Sequence, residues 1–591
     1  MDCARAQREV SAATSPPRVE ARATACDGNP RAPRRRHRGV TTLLAASLAA
    51  SASFALSAQP ADGVRAQIAA AITADGSLIR GRAREHGAAQ ALRTVYANRG
   101  DAALWSRDGR LTPQAEALLH ELERADAYGL RVADYTTAPG FTTAQAAAAV
   151  SPADEQRWAR FDVAVTAAAL RFLSDLHFGR VDPAAAGFRL QTAHTPLDLA
   201  ATLDALARAS DVRAVLAGAE PPFHHYALLK DALARYLTLA LQHPQLTRLP
   251  AAPGTLKPGD GYAGASPLRD LLVALGDLPK GGAQSSSPPT FDAELSAGVR
   301  AFQQRHGLTA DGAIGKATFA ALTVPLARRV RQIDLTLERW RWLPPFQTPP
   351  IIVNIPQFRL FAFRTTEDRA ADILQMDVIV GRTYPRMQTP VFAADMRYLV
   401  FRPYWDVPYS ITRNEMLPKI RANPGYVAAH GLEIVSGQQD SSPAVAPTPA
   451  NIEALAAGKL RLRQVPGEDN ALGLVKFMFP NTYNVYLHST PAHQLFNESM
   501  RAFSHGCIRV REPAALAVHV LRGTPGEWTL AKVEATMNDG KTLRVNLAQP
   551  VNVLILYGTA LATEAGPTLF FNDIYGYDRK LESQLGLAPL R

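Results

Sequence analysis

Residues Tyr486 to Val510 read YLHSTPAHQLFNESMRAFSHGCIRV, and the rest of the 591-residue chain is organised around them. Cys507 sits between Gly506 and Ile508, with His505 two residues before it and His488 nineteen before it. A thiol is nucleophilic as the thiolate, which needs a nearby base or a positive local field. Gly506 lets the backbone bend tightly and lets a substrate carbonyl approach main-chain N–H groups, as an oxyanion hole requires. Ser504 has the hydroxyl to hydrogen-bond that turn. A buried structural cysteine with incidental histidines is the plainer reading of such a cluster. The rest of the chain argues against it.

The other cysteines are Cys3 and Cys26, both near the start. There a basic cluster, Arg34-Arg35-Arg36-His37-Arg38, precedes the apolar run GVTTLLAASLAASASFALSA, which ends at Ala58. Basic flank, apolar stretch and small residues at the end are the pattern of a secretory signal, so residues 1–58 are expected to be leader and signal peptide. Left uncleaved, the run is near the length of a membrane span and would anchor the chain in the inner membrane. Cleaved, it would leave Cys507 as the one thiol of an exported chain. Such a thiol has no partner for an internal disulfide and is a liability in an oxidising compartment unless it reacts.

Length calls for about three domains. The net charge of +11 suggests an anionic partner, either nucleic acid or an anionic envelope. Zinc-ligand spacing, a phosphate-binding glycine loop and RNA-binding aromatic motifs are all missing from the sequence, which argues against nucleic acid.

From 62 to 250 the chain reads as mostly helical. Phe161, Val165, Ala168, Phe172 and Leu176 recur at helical spacing, and Gly179 with Pro183 ends that helix. Thr112-Pro113 opens another, as N-cap and first helical residue. His177, His224 and His225 are read as satisfied polar residues. Pro/Gly/Ser-rich stretches flank a short helix at Leu268–Leu275. Over 266–324, Leu295, Val299 and Phe302 form an apolar helix face, and Gly307, Asp311-Gly312 and Gly315 punctuate a turn. Residues 325–345 are expected to be a connecting helix, with an apolar stripe of Leu326, Val330, Ile333, Leu337 and Trp340. Its arginines, Arg328, Arg329, Arg331, Arg339 and Arg341, are expected on solvated faces.

From Pro350 the pattern changes. IIVNIP, RLFAF, MDVIVG, YLVFRPYW, NVYLH and VNVLILYG are short β-rich runs, so 350–560 is expected to be a β-rich catalytic domain and 561–591 a tail. An insertion at 412–476 precedes the catalytic stretch and is expected to act as a lid. Trp405 and Tyr486 are candidates to line a peptide groove. Pro513 opens a helix just beyond Cys507, whose N-terminus would help lower the thiol pKa.

His488, fifteen residues, then Ser504-His505-Gly506-Cys507 resembles the signature of the LD-transpeptidases, cysteine enzymes that remodel bacterial peptidoglycan. VGRTYPRMQTPVF and RPYWDVPYSI also resemble phrases of that family, and AFQQRHGLTADGAIGKATFAAL resembles a small three-helix peptidoglycan-binding module. The helical region resembles the scaffold domain of the larger Gram-negative members, and the insertion their capping subdomain. Where the family often has Asn, two residues after the cysteine, this chain has Arg509.

The resemblance implies a multidomain α+β chain of helical scaffold, wall-binding module and β-rich catalytic domain, working in the periplasm on peptidoglycan stem peptides without metal or cofactor. Cys507 would be the nucleophile and His488 its base, with Ser489 helping to fix the ring. The reaction implied is a 3→3 cross-link between diaminopimelate residues, and a carbapenem would acylate Cys507. His505 would shape the loop, stack, or act as a second base. Arg509 would anchor the loop or a substrate carboxylate, or form a structural ion pair. Two rivals remain open: an LD-carboxypeptidase with water as acceptor, and a non-catalytic wall-binding scaffold. A papain-like protease is disfavoured because its Cys precedes its His.

Overall fold

The structure, a computed structural model, describes residues 60–74, 86–108, 110–136, 155–190, 196–252, 254–281, 288–366, 373–564, 566–588 and 590. The expected signal, Cys3, Cys26 and the centre of the Ser/Pro-rich stretch after Lys280 lie outside the described residues. No helix among the described residues is long and apolar enough to cross a membrane.

Helix α1 (Glu155–Phe178) runs through the first core, with Phe161, Val165, Phe172 and Leu176 buried. Buried Asp162 on α1 accepts the Leu104 and Trp105 N–H groups, both at 2.8 Å, and the Tyr96 hydroxyl at 2.7 Å. Gly179 ends α1 with φ 75°, and Asp182 then caps a short helix that begins at Pro183. Thr112 accepts the Ala115 N–H at 3.1 Å ahead of helix Pro113–Glu123. Among the histidines, His177 bonds the Ala219 carbonyl at 2.9 Å. Helix α2 (His224–Gln242) belongs to a different core from α1, shared with the helix that leads into the β-rich domain.

Three helices make the next unit: Ala265–Leu275, α3 (Ala293–Arg305) and Lys316–Leu322. Asp292 caps α3 by accepting the Leu295 N–H at 2.8 Å. The Gln303 amide ties down the glycine-rich turn, donating to Asp311 and to the Ala313 carbonyl and accepting the Gly312 N–H.

Helix α4 (Leu326–Trp340) carries the expected apolar stripe, but its arginines are not a solvated face. Arg329, Arg339 and Arg341 are buried. The Arg339 guanidinium meets Asp578 at 2.7 Å, and that of Arg341 meets Glu338 at 3.2 Å and the Tyr226 hydroxyl at 3.1 Å. The helix is packed on several sides, by α2 and by the C-terminal segment, so its cations are paired where solvent was expected.

The β-rich domain is a nine-stranded mixed sheet. Its strands are β1 (Ile351–Asn354), β2 (Arg359–Ala362), β3 (Leu374–Gly381) and β4 (Phe392–Phe401), then, after the insertion, five more. The insertion has its own sheet, β5 (Trp405–Asp406), β6 (Leu432–Val435), β7 (Ala444–Val445) and β8 (Arg461–Gln464) in the order β5-β8-β6-β7. The main sheet resumes with β9 (Val475–Met478), β10 (Leu487–His488), β11 (Ala502–Ser504), β12 (Ile508–Val510) and β13 (Leu543–Leu556). Its order is β11-β3-β12-β10-β9-β4-β13-β1-β2, and β2 pairs back onto β3. That last pairing closes eight strands into a barrel and leaves them without free edges. Val353, Leu360, Val378, Leu399, Phe477, Leu487, Ile508 and Val553 fill the inside.

Two expected spans differ from the structure. The insertion, expected over 412–476, has its sheet from Trp405 to Gln464, while Val475 and Lys476 belong to β9 of the barrel. The expected tail is folded: β14 (Ala560–Leu561) pairs with β15 (Leu569–Phe570), and helix Tyr577–Gln584 buries Leu581 in the barrel's core cluster.

Candidate active site

Strands β9, β10 and β12 lie side by side, and their register decides which side chains meet. Lys476 stands opposite His488, and His488 opposite Arg509. Successive residues of a strand point to opposite faces. Val475, Phe477, Leu487 and Ile508 turn into the core, so Lys476, His488 and Arg509 turn outward. Tyr486 and Cys507 lie two residues earlier on that same face, and the Ile508 N–H donates to the Tyr486 carbonyl at 3.1 Å. All five line one cavity of about 1530 Å³. The insertion supplies its other wall, including Trp405, Tyr409 and Glu415.

The turn before Cys507 is held from two sides. Gly506 has φ 118°, a left-handed value that a side chain would strain. Inside the turn, the Ser504 hydroxyl accepts the Gly506 N–H at 3.1 Å and donates to the Cys507 carbonyl at 2.5 Å. Behind it, the Thr389 hydroxyl donates to the Gly506 carbonyl and accepts the Gly381 N–H, both at 2.8 Å. Tyr575 braces Thr389 in turn: its hydroxyl accepts the Thr389 N–H at 3.2 Å and donates to the Gly381 carbonyl at 2.6 Å. The Gly506 N–H is therefore engaged, whereas the Cys507 N–H makes no hydrogen bond among the described residues. An oxyanion would find its free main-chain donor at Cys507.

Burial pushes the Cys507 thiol up, against the opposing pull of Tyr486 and of the Lys476 and Arg509 charges. The thiol donates to the Asn484 carbonyl at 3.6 Å, and Tyr486 and Trp405 line the cavity with it. Burial lowers Lys476 and Arg509 as well. His488 is held down at about 3, by burial first and by Arg509 next. Its ring is neutral near pH 7, and its Nδ1 donates to the Ser489 carbonyl at 2.5 Å. The resting pair is thus a neutral imidazole and a thiol beside two cations. The helix expected to help lower the thiol pKa begins at Pro513. Strand β12 stands between, on the order of 10 Å of extended chain, and a helix end acts mainly within its first turn.

The structure brings together Cys507, His488, Tyr486, Trp405, His505 and Arg509 around one cavity. Ser489 contributes its carbonyl to the His488 ring, and Ser504 and Gly506 shape the turn. Arg509 lines the cavity, and its buried Nε has no hydrogen-bond partner among the described residues. His505 bonds Glu415 of the insertion through Nε2 at 2.7 Å. Thr389, Tyr575, Lys476 and Glu415 were not expected from sequence. Lys476 could have been read from its place two before Met478 on a strand, and Thr389 from its place in VGRTYPRMQTPVF; Tyr575 and Glu415 carry no local signal. No group of three or more His, Cys, Asp or Glu among the described residues could hold a metal ion.

Comparison with known families agrees with this geometry. Residues 349–529, which hold seven of the eight barrel strands and the insertion, match the L,D-transpeptidase catalytic domain. Through these residues the chain carries an L,D-transpeptidase catalytic domain. Residues 90–233 match a family described as "Scaffold domain", and residues 266–322 one described as "Putative peptidoglycan binding domain". Among individual proteins, the chain is similar to a "Putative L,D-transpeptidase" of Haemophilus influenzae, 33% identical over 252 residues, which is 42% of this chain and 49% of that protein. It is also similar, at 42% identity over 74 residues, to "N-acetylmuramoyl-L-alanine amidase CwlM" of Mycobacterium tuberculosis, covering 11% of this chain and 18% of that one. The chain thus spans about half the length of the first relative and less of the second.

Proposed function

We propose that this chain joins peptidoglycan stem peptides through an acyl-Cys507 intermediate, forming 3→3 links between diaminopimelate residues in the periplasm. The observation that carries the reading is the shared outward face of Tyr486, His488, Cys507 and Arg509, with the insertion forming the opposite wall. Cys507 attacks the carbonyl before the terminal D-alanine of a donor tetrapeptide. Its proton passes to His488 and then to the leaving amine. The Cys507 N–H faces the developing oxyanion, and the Tyr486 hydroxyl stands beside the sulfur.

The low proton affinity of His488 fits this scheme if substrate raises it. Arg509 and Lys476 both disfavour the imidazolium. Stem peptides carry carboxylates, and one bound to Arg509 would cancel that repulsion and raise the imidazole toward its working range. Substrate binding would then arm the base. Trp405 and Tyr486 line the groove for the peptide, and the three-helix unit at 266–322 would meet the wall.

The test is mass spectrometry of purified muropeptides incubated with the wild type and with Cys507→Ala. The expected result is a cross-linked dimer with the wild type and none with the variant. A product one D-alanine shorter without dimer would assign the carboxypeptidase reaction instead. Dimer formation by Cys507→Ala would overturn the reading.

A further inference from the structure

The turn that carries the nucleophile is bonded to the insertion through a second histidine. His505 Nε2 meets Glu415 Oε1 at 2.7 Å, and Glu415 lies on the single π-helical turn Thr412–Met416, a form of turn often found at functional sites. A carboxylate can only accept, so Nε2 donates in this bond, and in the neutral ring the lone pair then stands on Nδ1. Both residues line the Cys507 cavity. The cations bordering it are Arg386, Arg461, Lys476 and Arg509, and the one other carboxylate, Asp406, is paired with Arg461. Among the described residues the side-chain hydrogen-bond partner of Glu415 is His505. Two imidazoles therefore line the cavity that holds the thiol. His488 is buried on β10, and His505 is half-buried and held by a residue that the insertion delivers.

Proton bookkeeping gives the second imidazole a task. An amine acceptor arrives as an ammonium ion, because a side-chain amine has a pKa of about 10. Turning that ammonium into an amide nitrogen releases two protons. As the C–N bond forms and the C–S bond of the thioester breaks, one proton returns to the Cys507 sulfur through His488. The other, which must leave before attack to free the lone pair, needs a separate base. Water as acceptor releases one proton in the same step, and His488 alone can carry it to the sulfur. The need for a second base is specific to the amine.

We infer that Glu415 is a positioning residue that fixes His505 as the base for the acceptor amine, so that the insertion makes the site selective for cross-linking over hydrolysis. This rests on the transpeptidase reading above. The dyad forms only when the insertion lies against the catalytic turn, so the second base is present only in that arrangement.

The experiment incubates a tetrapeptide muropeptide, as both donor and acceptor, with the full chain. It measures the ratio of cross-linked dimer to hydrolysed product from pH 6.5 to 10.5. A ratio is insensitive to the fraction of folded enzyme, so an unstable variant still reports. Glu415→Gln and Glu415→Ala are expected to lower the dimer-to-hydrolysis ratio at pH 7 by at least about tenfold. The deficit should narrow as pH approaches the acceptor's own pKa, and Glu415→Asp should recover part of it. A wild-type ratio in both Glu415→Gln and Glu415→Ala, or a deficit independent of pH, would overturn the assignment. If the wild type forms no dimer at all, the transpeptidase reading fails first, and the two failures are told apart by that control.

Discussion

Thr389 reaches across 117 residues of chain to hold the carbonyl of Gly506, with its hydroxyl 2.8 Å from that oxygen. The bond sets the direction of the peptide between Gly506 and Cys507, and so the direction of the Cys507 N–H. Thr389→Val keeps the shape and removes the hydroxyl, leaving the Gly381 N–H and the Gly506 carbonyl without their shared partner. The expected cost in stability is about 1–3 kcal/mol, the usual range for a buried unsatisfied group. The acylation rate of Cys507 should fall by a larger factor than global stability explains, because the turn loosens. Thermal unfolding and a stopped-flow acylation assay check both halves. An unchanged acylation rate would show that Ser504 alone holds the turn.

Lys476 supplies a second test of the thiol's surroundings. Its ammonium sits 4.1 Å from the centre of the Tyr486 ring, and it lowers the Cys507 pKa against the effect of burial. Lys476→Met keeps much of the volume and removes the charge. The pH midpoint for alkylation of Cys507 by iodoacetamide should move up by roughly one pH unit. Arg509→Met should move it the same way. A downward shift in either variant would mean that desolvation by the cation's side chain outweighs its charge.

The legible part of this site was local, and the hidden part was not. His488, Ser504, Gly506 and Cys507 stand within one short stretch, and the turn chemistry of Ser504 and Gly506 follows from residue type. Glu415 lies 90 residues from its partner in a segment whose composition gives no reason to single it out, and Thr389 lies 117 from its own, inside the phrase VGRTYPRMQTPVF, whose likeness to the family did not mark that one residue. The closing of the barrel was illegible for a related reason. Strands such as β10, with two residues, are too short to display an alternation. On α4 the apolar stripe was readable because one packed face has a period. The burial of Arg339 and Arg341 depends on what the remaining faces meet, here Asp578 and Tyr226, and no periodicity records that.

His488 makes a prediction about acid stability. Its pKa is about 3 in the folded chain against 6.5 as the ordinary value, so between those limits the unfolded chain binds more protons. This contribution to stability is complete above pH 6.5 and is lost as pH falls toward 3. The slope from this one group is at most about 1.4 kcal/mol per pH unit. His306 and His519, also lowered by burial, add to the same trend, while buried Asp162, raised to about 6, opposes it. Comparing His488→Gln with the wild type isolates the one site. Urea unfolding at pH 7.5 and 4.5 should show the wild type losing more stability than the variant. Equal losses would place His488 in a solvated setting.

The last prediction concerns how the three-helix unit is held. Arg305, the final residue of α3, pairs with Asp277 at 2.5 Å, with both side chains almost fully buried. The same guanidinium donates to the Thr568 carbonyl at 2.9 Å, in the loop of the β14–β15 hairpin, and His306 stacks between Phe302 and Phe570. One arginine thus closes the unit's own core and fastens it to the C-terminal hairpin. Removing one member of a buried pair strands the other charge, at a cost of about 3–5 kcal/mol. Arg305→Met should therefore destabilise the chain by that order, and adding Asp277→Leu should recover most of the loss, because the stranded carboxylate is gone. The recovered double variant still lacks the Thr568 bond. Its unit should detach more readily from the hairpin, seen as faster limited proteolysis after Leu322 at unchanged overall stability. Wall binding can then be compared in sedimentation with sacculi without deleting any residue, since deletion of 291–323 would strip Arg305 and His306 from the hairpin along with the wall contact. If Arg305→Met costs less than about 1 kcal/mol, the pair is wetter than its geometry indicates and the unit is held by Phe570 and His306 instead.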